Sequence, residues 1–250
     1  MLKKLLPICL LLTTLAGCSR DNPTSAKPEP ELTTLNPLST INLAPGITEP
    51  SGIAYNRKNN TFLVVSDSRP EIFEIDLQGH IQRTIPTTGI DLEGVSVTAN
   101  GDTLFIVQER DQLVDSYSST GTLLSSLPVK VATLPNNGLE GVAVDRDGHL
   151  WVINEKNPRL LLEFSGSREV SRREITLADD LSDICCDPSD ASLWILSDES
   201  RKLLKIARDG TLLDQWALPF DKGEGITFAG DRMYIVNDLD ARLYIFAKPL

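Results

Sequence analysis

From residue 50 onward, short apolar runs alternate with polar turn residues, and the alternation repeats. One copy opens on Pro50-Ser51-Gly52-Ile53-Ala54 and the next on Leu92-Glu93-Gly94-Val95-Ser96. Leu139-Glu140-Gly141-Val142-Ala143, a degraded Leu181-Ser182-Asp183-Ile184-Cys185 and Gly223-Glu224-Gly225-Ile226-Thr227 follow. The anchor positions 52, 94, 141, 183 and 225 are 42, 47, 42 and 42 residues apart. In each copy a second apolar run ends in polar residues, over 62–67, 104–109, 150–155, 193–198 and 233–238. A third run, such as Ile72-Phe73-Glu74-Ile75, and a fourth, such as Ile81-Gln82-Arg83-Thr84-Ile85, are divided by turn pairs such as Gln78-Gly79 and Asp209-Gly210. Runs of this length, rich in β-branched residues and bounded by turn signals, are strands. Four strands in a unit of about 42 residues make a propeller blade, and no run shows helical periodicity.

The pattern therefore predicts an all-β fold, a five-bladed β-propeller of four-stranded blades; no sixth unit is found. The fifth copy stops after its third strand, at Phe246. An orphan run, Leu38-Ser39-Thr40-Ile41-Asn42-Leu43, precedes the first copy. It is expected to complete the last blade as its outer strand, latching the ring and removing an exposed edge.

The chain begins differently. A basic head, Lys3 and Lys4, leads into an apolar stretch too short to span a bilayer, which takes about 20 residues. Such a segment followed by small residues is a secretory signal. Leu15-Ala16-Gly17-Cys18 resembles a bacterial lipobox, which implies cleavage before Cys18 and lipid on its sulfur. Ser19 in place of Asp points to an outer-membrane lipoprotein facing the periplasm. Residues 1–17 are then the signal peptide, 18–36 an acylated cysteine with a Pro-containing flexible tether, and 37–250 the propeller.

The net charge is −11, and removal of Lys3 and Lys4 makes it two units more negative. Such acidity excludes nucleic-acid binding by counterion release. It also disfavours anionic lipid surfaces, so any membrane attachment rests on the lipid at Cys18, and it suits cations or basic partners. Cys185 and Cys186 are adjacent, and neighbours on a strand point to opposite faces. Two small buried side chains are therefore expected in preference to a vicinal disulfide.

The whole pattern resembles the SdiA-regulated family over about residues 38–250. The resemblance rests on Leu92-Glu93-Gly94, Gln108-Glu109-Arg110-Asp111, Leu139-Glu140-Gly141, Asn154-Glu155-Lys156-Asn157-Pro158 and Glu199-Ser200-Arg201. It implies a five-bladed ring with a calcium site and no established enzymatic activity. NHL-repeat relatives imply protein contacts. Asp183, where other copies carry Gly, departs from the pattern and leaves the local geometry open.

The residues before the anchors are Ser51, Glu93, Glu140, Ser182 and Glu224; the second runs end in Asp67, Glu109, Glu155, Asp198 and Asp238. Each pair brackets one antiparallel hairpin, so both ends lie on one rim, about 4.8 Å apart. Like charges so gathered raise one another's pKa, and a bound cation removes the conflict. Calcium suits the set, because it takes 6–8 hard oxygen ligands in irregular geometry. Glu93, Glu140 and Glu224 are the candidate direct ligands. Ser51 and Ser182, with Asp67, Glu109, Glu155, Asp198, Glu199 and Asp238, are candidate further ligands or supports. Glu199 competes with Asp198 for the equivalent position. Zinc is disfavoured, since His80 and His149 fall at turns. The outer acids have a second reading as rim ion pairs, since Arg69, Arg110, Lys156, Arg201 and Arg242 follow them closely.

Besides a structural envelope protein whose metal only supports folding, two functions remain. One is a calcium-stiffened binding or scaffold module taking a protein or cationic ligand at the acidic rim. The other is a calcium-dependent hydrolase of lactones or phosphoesters. No nucleophile elbow or catalytic triad supports the second, so a binding role is expected over an enzyme.

Overall fold

The computed structural model describes residues 31–131, 134 and 136–249. The expected signal sequence, Cys18 and most of the expected tether lie outside the described residues. After β1 (Ser39–Asn42) come four consecutive four-stranded blades. Blade 1 holds β2 (Pro50–Asn56), β3 (Thr61–Ser66), β4 (Arg69–Ile75) and β5 (Ile81–Pro86). Blade 2 holds β6 (Leu92–Val97), β7 (Thr103–Gln108), β8 (Leu113–Ser118) and β9 (Leu123–Pro128). Blade 3 holds β10 (Leu139–Val144), β11 (His149–Asn154), β12 (Leu160–Ser165) and β13 (Arg168–Glu174). Blade 4 holds β14 (Asp183–Cys186), β15 (Leu193–Ser197), β16 (Lys202–Ile206) and β17 (Leu212–Ala217).

Blade 5 is composite. Strands β18 (Gly223–Ala229), β19 (Arg232–Asn237) and β20 (Arg242–Ala247) are completed by β1, antiparallel to β20 with Ser39 opposite Ile245 and Asn42 opposite Arg242. The orphan run thus closes the ring as expected. The chain before it also adds an edge. Leu35 N–H donates to the Ala217 carbonyl at 2.9 Å and Ala217 N–H to the Thr33 carbonyl at 3.0 Å, so residues 33–35 run beside β17 on blade 4.

Apolar side chains fill the spaces between blades in five clusters, one per neighbouring pair. The inner three strands of each blade are covered on both faces, so their apolar runs are nearly unbroken. The outer strands β5, β9 and β13 are mostly exposed. Cys185 packs toward the cluster between blades 4 and 5, and Cys186 toward the one between blades 3 and 4; both thiols are free. Trp194 and Trp216 stack at 5.2 Å in the former cluster.

The anchor residues pack backbone to backbone around the axis. A β-carbon on Gly52 would stand 2.5 Å from the Glu93 carbonyl oxygen, and one on Gly94 would stand 2.6 Å from that of Glu140. One on Gly225 would meet Gly52 Cα at 2.8 Å. The fourth copy resolves differently: the Asp183 side chain spans the space between blades. Its Oδ2 accepts the Ile226 N–H at 2.8 Å, and its Oδ1 lies 2.7 Å from where a Gly141 β-carbon would sit. Asp183 is 1% exposed, and burial pushes its carboxyl well above the usual range.

Gly94→Ala should therefore destabilise the fold by about 1–3 kcal/mol or more, since every atom it meets is backbone and cannot step aside. Gly230→Ala, whose β-carbon meets nothing within 4 Å, isolates the backbone cost of a positive φ. Urea melts showing equal losses for the two variants would refute close packing at the hub.

Candidate metal centre

The alternation of the first strands turns the residue before each anchor into one mouth of the channel. There Glu93, Glu140 and Glu224 share a depression of about 260 Å³ with Ser51, Ser182, Asp67, Glu155, Asp198 and Asp238; Glu109 lies beside Glu93 and Glu140 but does not line it. The residue two places earlier shapes this mouth as well. Glu49, Asp91 and Lys222 occupy that position with φ of 48°, 58° and 62°. This left-handed backbone turns the chain into the strand. The carbonyls of Asp91, Gly138 and Lys222 then accept the N–H of Glu109, Glu155 and Asp238 at 3.1, 2.8 and 3.0 Å, closing each hairpin at the rim. In blade 3 the position is Gly138, where a β-carbon would stand 2.5 Å from the Glu109 carbonyl oxygen. Its absence admits Glu109 from the neighbouring blade, and Gly138 N–H donates to Glu109 Oε1 at 3.2 Å.

Burial is the main reason these carboxyls resist ionisation, and their mutual repulsion adds to it. Glu93 is pushed well above the glutamate range by burial, then by Asp91, Asp67, Glu109 and Glu224. Glu140 is pushed well above it by burial, then by Glu93, Glu155, Glu109 and Glu224. Burial raises Glu109 to about 7, with Asp91 and Glu155 adding to it against the Gly138 hydrogen bond. Glu224 rises to about 7 by burial, although Lys222 opposes the shift.

Two lysines answer part of this charge. Lys156 Nζ bridges Glu155 at 2.7 Å and Glu199 at 2.9 Å. Lys222 Nζ bridges Asp198 at 3.1 Å and Glu224 at 3.4 Å. Among the described residues no cation lies within ion-pair distance of Glu93, Glu140 or Glu109. On that side, carboxylate oxygens of Asp91, Glu93 and Glu109 lie within 4.8 Å of one another, as do those of Glu109, Glu140 and Glu155. Two oxygens bound to one Ca²⁺ at about 2.4 Å are at most about 4.8 Å apart. The donors are all hard oxygen, which fits calcium or magnesium and not zinc.

A family model described as SdiA-regulated matches residues 38–247. The chain belongs to the SdiA-regulated family. Among solved structures it is similar to the glutaminyl cyclase of Myxococcus xanthus, with TM-score 0.68 and 13% identity over 87% of this chain and 99% of that one. A chain of a nidogen/laminin complex matches with TM-score 0.60 and 14% identity, over 80% of this chain and 76% of that one. Virginiamycin B lyase from Staphylococcus aureus matches with TM-score 0.52 and 15% identity, over 79% of this chain; the chain spans only 66% of the lyase's length. At such identities the likeness shows the propeller fold alone.

In this SdiA-regulated propeller the anticipated acids meet at one mouth, with differences of detail. The second strands end one residue before Asp67, Glu109, Glu155, Asp198 and Asp238, so these acids stand on the turns. Glu224 sits on the lysine-bearing side, bonded to Lys222. The hydroxyl of Ser51 donates to the Leu92 carbonyl at 2.5 Å, and that of Ser182 accepts Asp198 N–H at 3.1 Å. Asp198 is the backbone equivalent of Glu109: its carbonyl accepts Arg201 N–H at 2.9 Å, as that of Glu109 accepts Gln112 N–H at 3.2 Å. Glu199 nevertheless reaches the same mouth.

The rim ion pairs read from sequence hold only for Lys156. Arg110 turns to Asp91 at 3.0 Å, while Arg69, Arg201 and Arg242 pair with Glu71, Asp221 and Asp240. His149 opens β11 instead of sitting in a turn, and contacts Glu163 at 2.6 Å. Glu49, Asp91, Asp180 and Lys222 were missed. Their shared offset, three residues before each anchor, was the available signal.

Carboxyls that hold protons more tightly folded than unfolded make the folded state bind more protons as pH rises from the ordinary glutamate value of 4.5 to about 7. Stability therefore falls with rising pH across that window. In EDTA, melting temperature should drop between about pH 5 and pH 8, by about 2–4 °C for each kcal/mol lost. Glu93→Gln should flatten the decline. A pH-independent melting temperature in calorimetry would contradict the buried repulsion.

Proposed function

We propose that this chain is a calcium-binding propeller lipoprotein, held to the outer membrane through lipid on Cys18 and acting in the periplasm as a binding or scaffold module. The observation that carries the metal reading is the pair of adjoining triads sharing Glu109, each compact enough for an ion, in which Glu93, Glu109 and Glu140 have no lysine or arginine ion-pair partner among the described residues. The ion lies toward blades 2 and 3 at the shared Glu109, held with Asp91 and Glu93 on one side or with Glu140 and Glu155 on the other. Glu224 completes the acidic mouth from the far side, where Lys222 already compensates it.

The rest of that end suits a cationic partner. Ten carboxylates and two lysines line the depression. Exposed apolar residues stand next to it in sequence: Ile90 beside Asp91 and Leu239 beside Asp238, 61% and 78% exposed. A basic protein segment with an apolar residue would meet both features. A calcium-dependent hydrolase is the second reading. It draws support from Glu109, which at about 7 is suited to take a proton beside a metal-bound water. The mouth hydroxyls of Ser51 and Ser182 are held by the Leu92 carbonyl and by Asp180 and the Asp198 N–H, with no histidine beside them, so this reading ranks below binding.

Calorimetric titration with Ca²⁺ tests the site. Glu93→Gln combined with Glu140→Gln should weaken binding at least ten-fold, about 1.4 kcal/mol. Glu224→Gln should weaken it less. Equal losses would move the ion to the axis, and an unchanged titration of the double variant would reject these ligands. Turnover of lactone or phosphoester panels that requires calcium and is lost in Glu109→Gln would reverse the order of the two functions.

A further inference from the structure

Beyond the anchor level the first strands enclose a second chamber, of about 410 Å³, at the opposite end from the acids. This falls in the range of small-molecule sites, roughly 300–1,000 Å³. Its composition changes in layers along the axis. Nearest the hub are Ile53, Val95, Val142, Ile184 and Ile226. The next residue in every blade is small: Ala54, Ser96, Ala143, Cys185 and Thr227. Farthest out stand Arg57 and Arg146, both exposed.

Between these layers lie backbone donors. Tyr55 N–H donates to Thr227 Oγ1, and Val144 N–H to Ser96 Oγ, each at 3.0 Å across a blade boundary. The N–H groups one residue further on point the other way, into their own hairpins: Thr98 donates to the Thr103 carbonyl, Asp145 to His149 and Asp187 to Ser192. Antiparallel pairing alternates the direction of successive N–H groups, so those of Val97, Cys186 and Phe228 are aimed inward like Tyr55 and Val144. Opposite them stand Ala54, Ala143 and Cys185, which carry no hydroxyl. The nearby carboxylates are already engaged: Asp145 with Arg208 and Trp151 Nε1, Asp187 with Lys248 and Ser189. Arg146 gives one donor to the Pro188 carbonyl at 2.8 Å, and Arg57 has no ion-pair partner among the described residues.

We infer that this chamber binds a small monocarboxylate with an apolar body. The body enters first, against the Ile and Val layer. The carboxylate stays at the level of the Val97, Cys186 and Phe228 amides, facing Arg57 and Arg146. The site does not depend on the metal reading, since its residues and the mouth acids lie on opposite sides of the anchor level.

Octanoate is the test probe, with octylamine and octanol as controls, titrated calorimetrically in EDTA and again in calcium. Octanoate should bind in both conditions and octylamine should not. Arg57→Gln with Arg146→Gln should weaken octanoate about ten-fold without changing the melting temperature. Ala99→Trp, an exposed position on the chamber wall, should block it. In amide NMR the largest shifts should fall on Val97, Cys186 and Phe228. Octylamine binding as tightly as octanoate, indifference to the arginine pair, or shifts centred elsewhere would each overturn the assignment.

Discussion

Backbone contact at the hub is the constraint on which the rest of the molecule depends. Five first strands can meet around one axis only if the anchor residues have almost no side chain, or one that reaches usefully across. Gly52, Gly94, Gly141 and Gly225 meet the first condition, and Asp183 meets the second by bonding Ile226 N–H. Once the anchors touch, strand alternation leaves the preceding residue nowhere to go but the mouth. Glu93 and Glu140 are gathered by that geometry. At an effective dielectric of about 20, two charges 4.8 Å apart repel by about 3–4 kcal/mol. Domain stability totals only about 5–15 kcal/mol. A pair of triads at that spacing cannot all ionise without a proton or a cation between them.

The ring was legible in the sequence because its signals are chemically uniform. Every second run is apolar, every anchor but one is Gly, and the spacing is nearly constant. The orphan run before the first copy was readable for the same reason: the fifth copy lacks one strand. Residues 33–35 offered no such signal, because a short edge pairing is made by backbone and leaves no pattern in side chains.

The candidate site was legible in part. Glu93, Glu140 and Glu224 stand out because identical residues recur at one offset. The position two residues earlier holds Glu49, Asp91, Gly138, Asp180 and Lys222, three acids interrupted by a glycine and a lysine, so no single residue type marks it. In Glu49, Asp91 and Lys222 the shared property is left-handed backbone. In Gly138 it is the room left for Glu109. The reach of long side chains was also hidden. Arg110 and Lys222 are each near several acids in sequence, and only the fold decides that one turns to Asp91 and the other to Asp198 and Glu224.

The lysines break the five-fold symmetry that the repeat would otherwise impose. Lys156 and Lys222 neutralise the mouth from blades 3 and 5 and Arg110 answers Asp91, which leaves Glu93, Glu109 and Glu140 without a basic partner among the described residues. A cation drawn to the mouth is steered off the axis, toward Glu109. The other end of the axis has the reverse polarity, since inward amides, Arg57 and Arg146 face the chamber while its Asp145 and Asp187 are already paired with Arg208 and Lys248. The mouth glutamates and the inward amides are four residues apart along each first strand, about 13 Å. At an effective dielectric of about 20, unit charges at that distance interact by about 1 kcal/mol, and solvent ions reduce this further. A calcium ion doubles this to about 2–3 kcal/mol against a carboxylate at the other end, which solvent ions across more than one Debye length bring to about a ten-fold change in affinity or less. The propeller holds two oppositely charged ends on one set of strands and keeps them nearly independent.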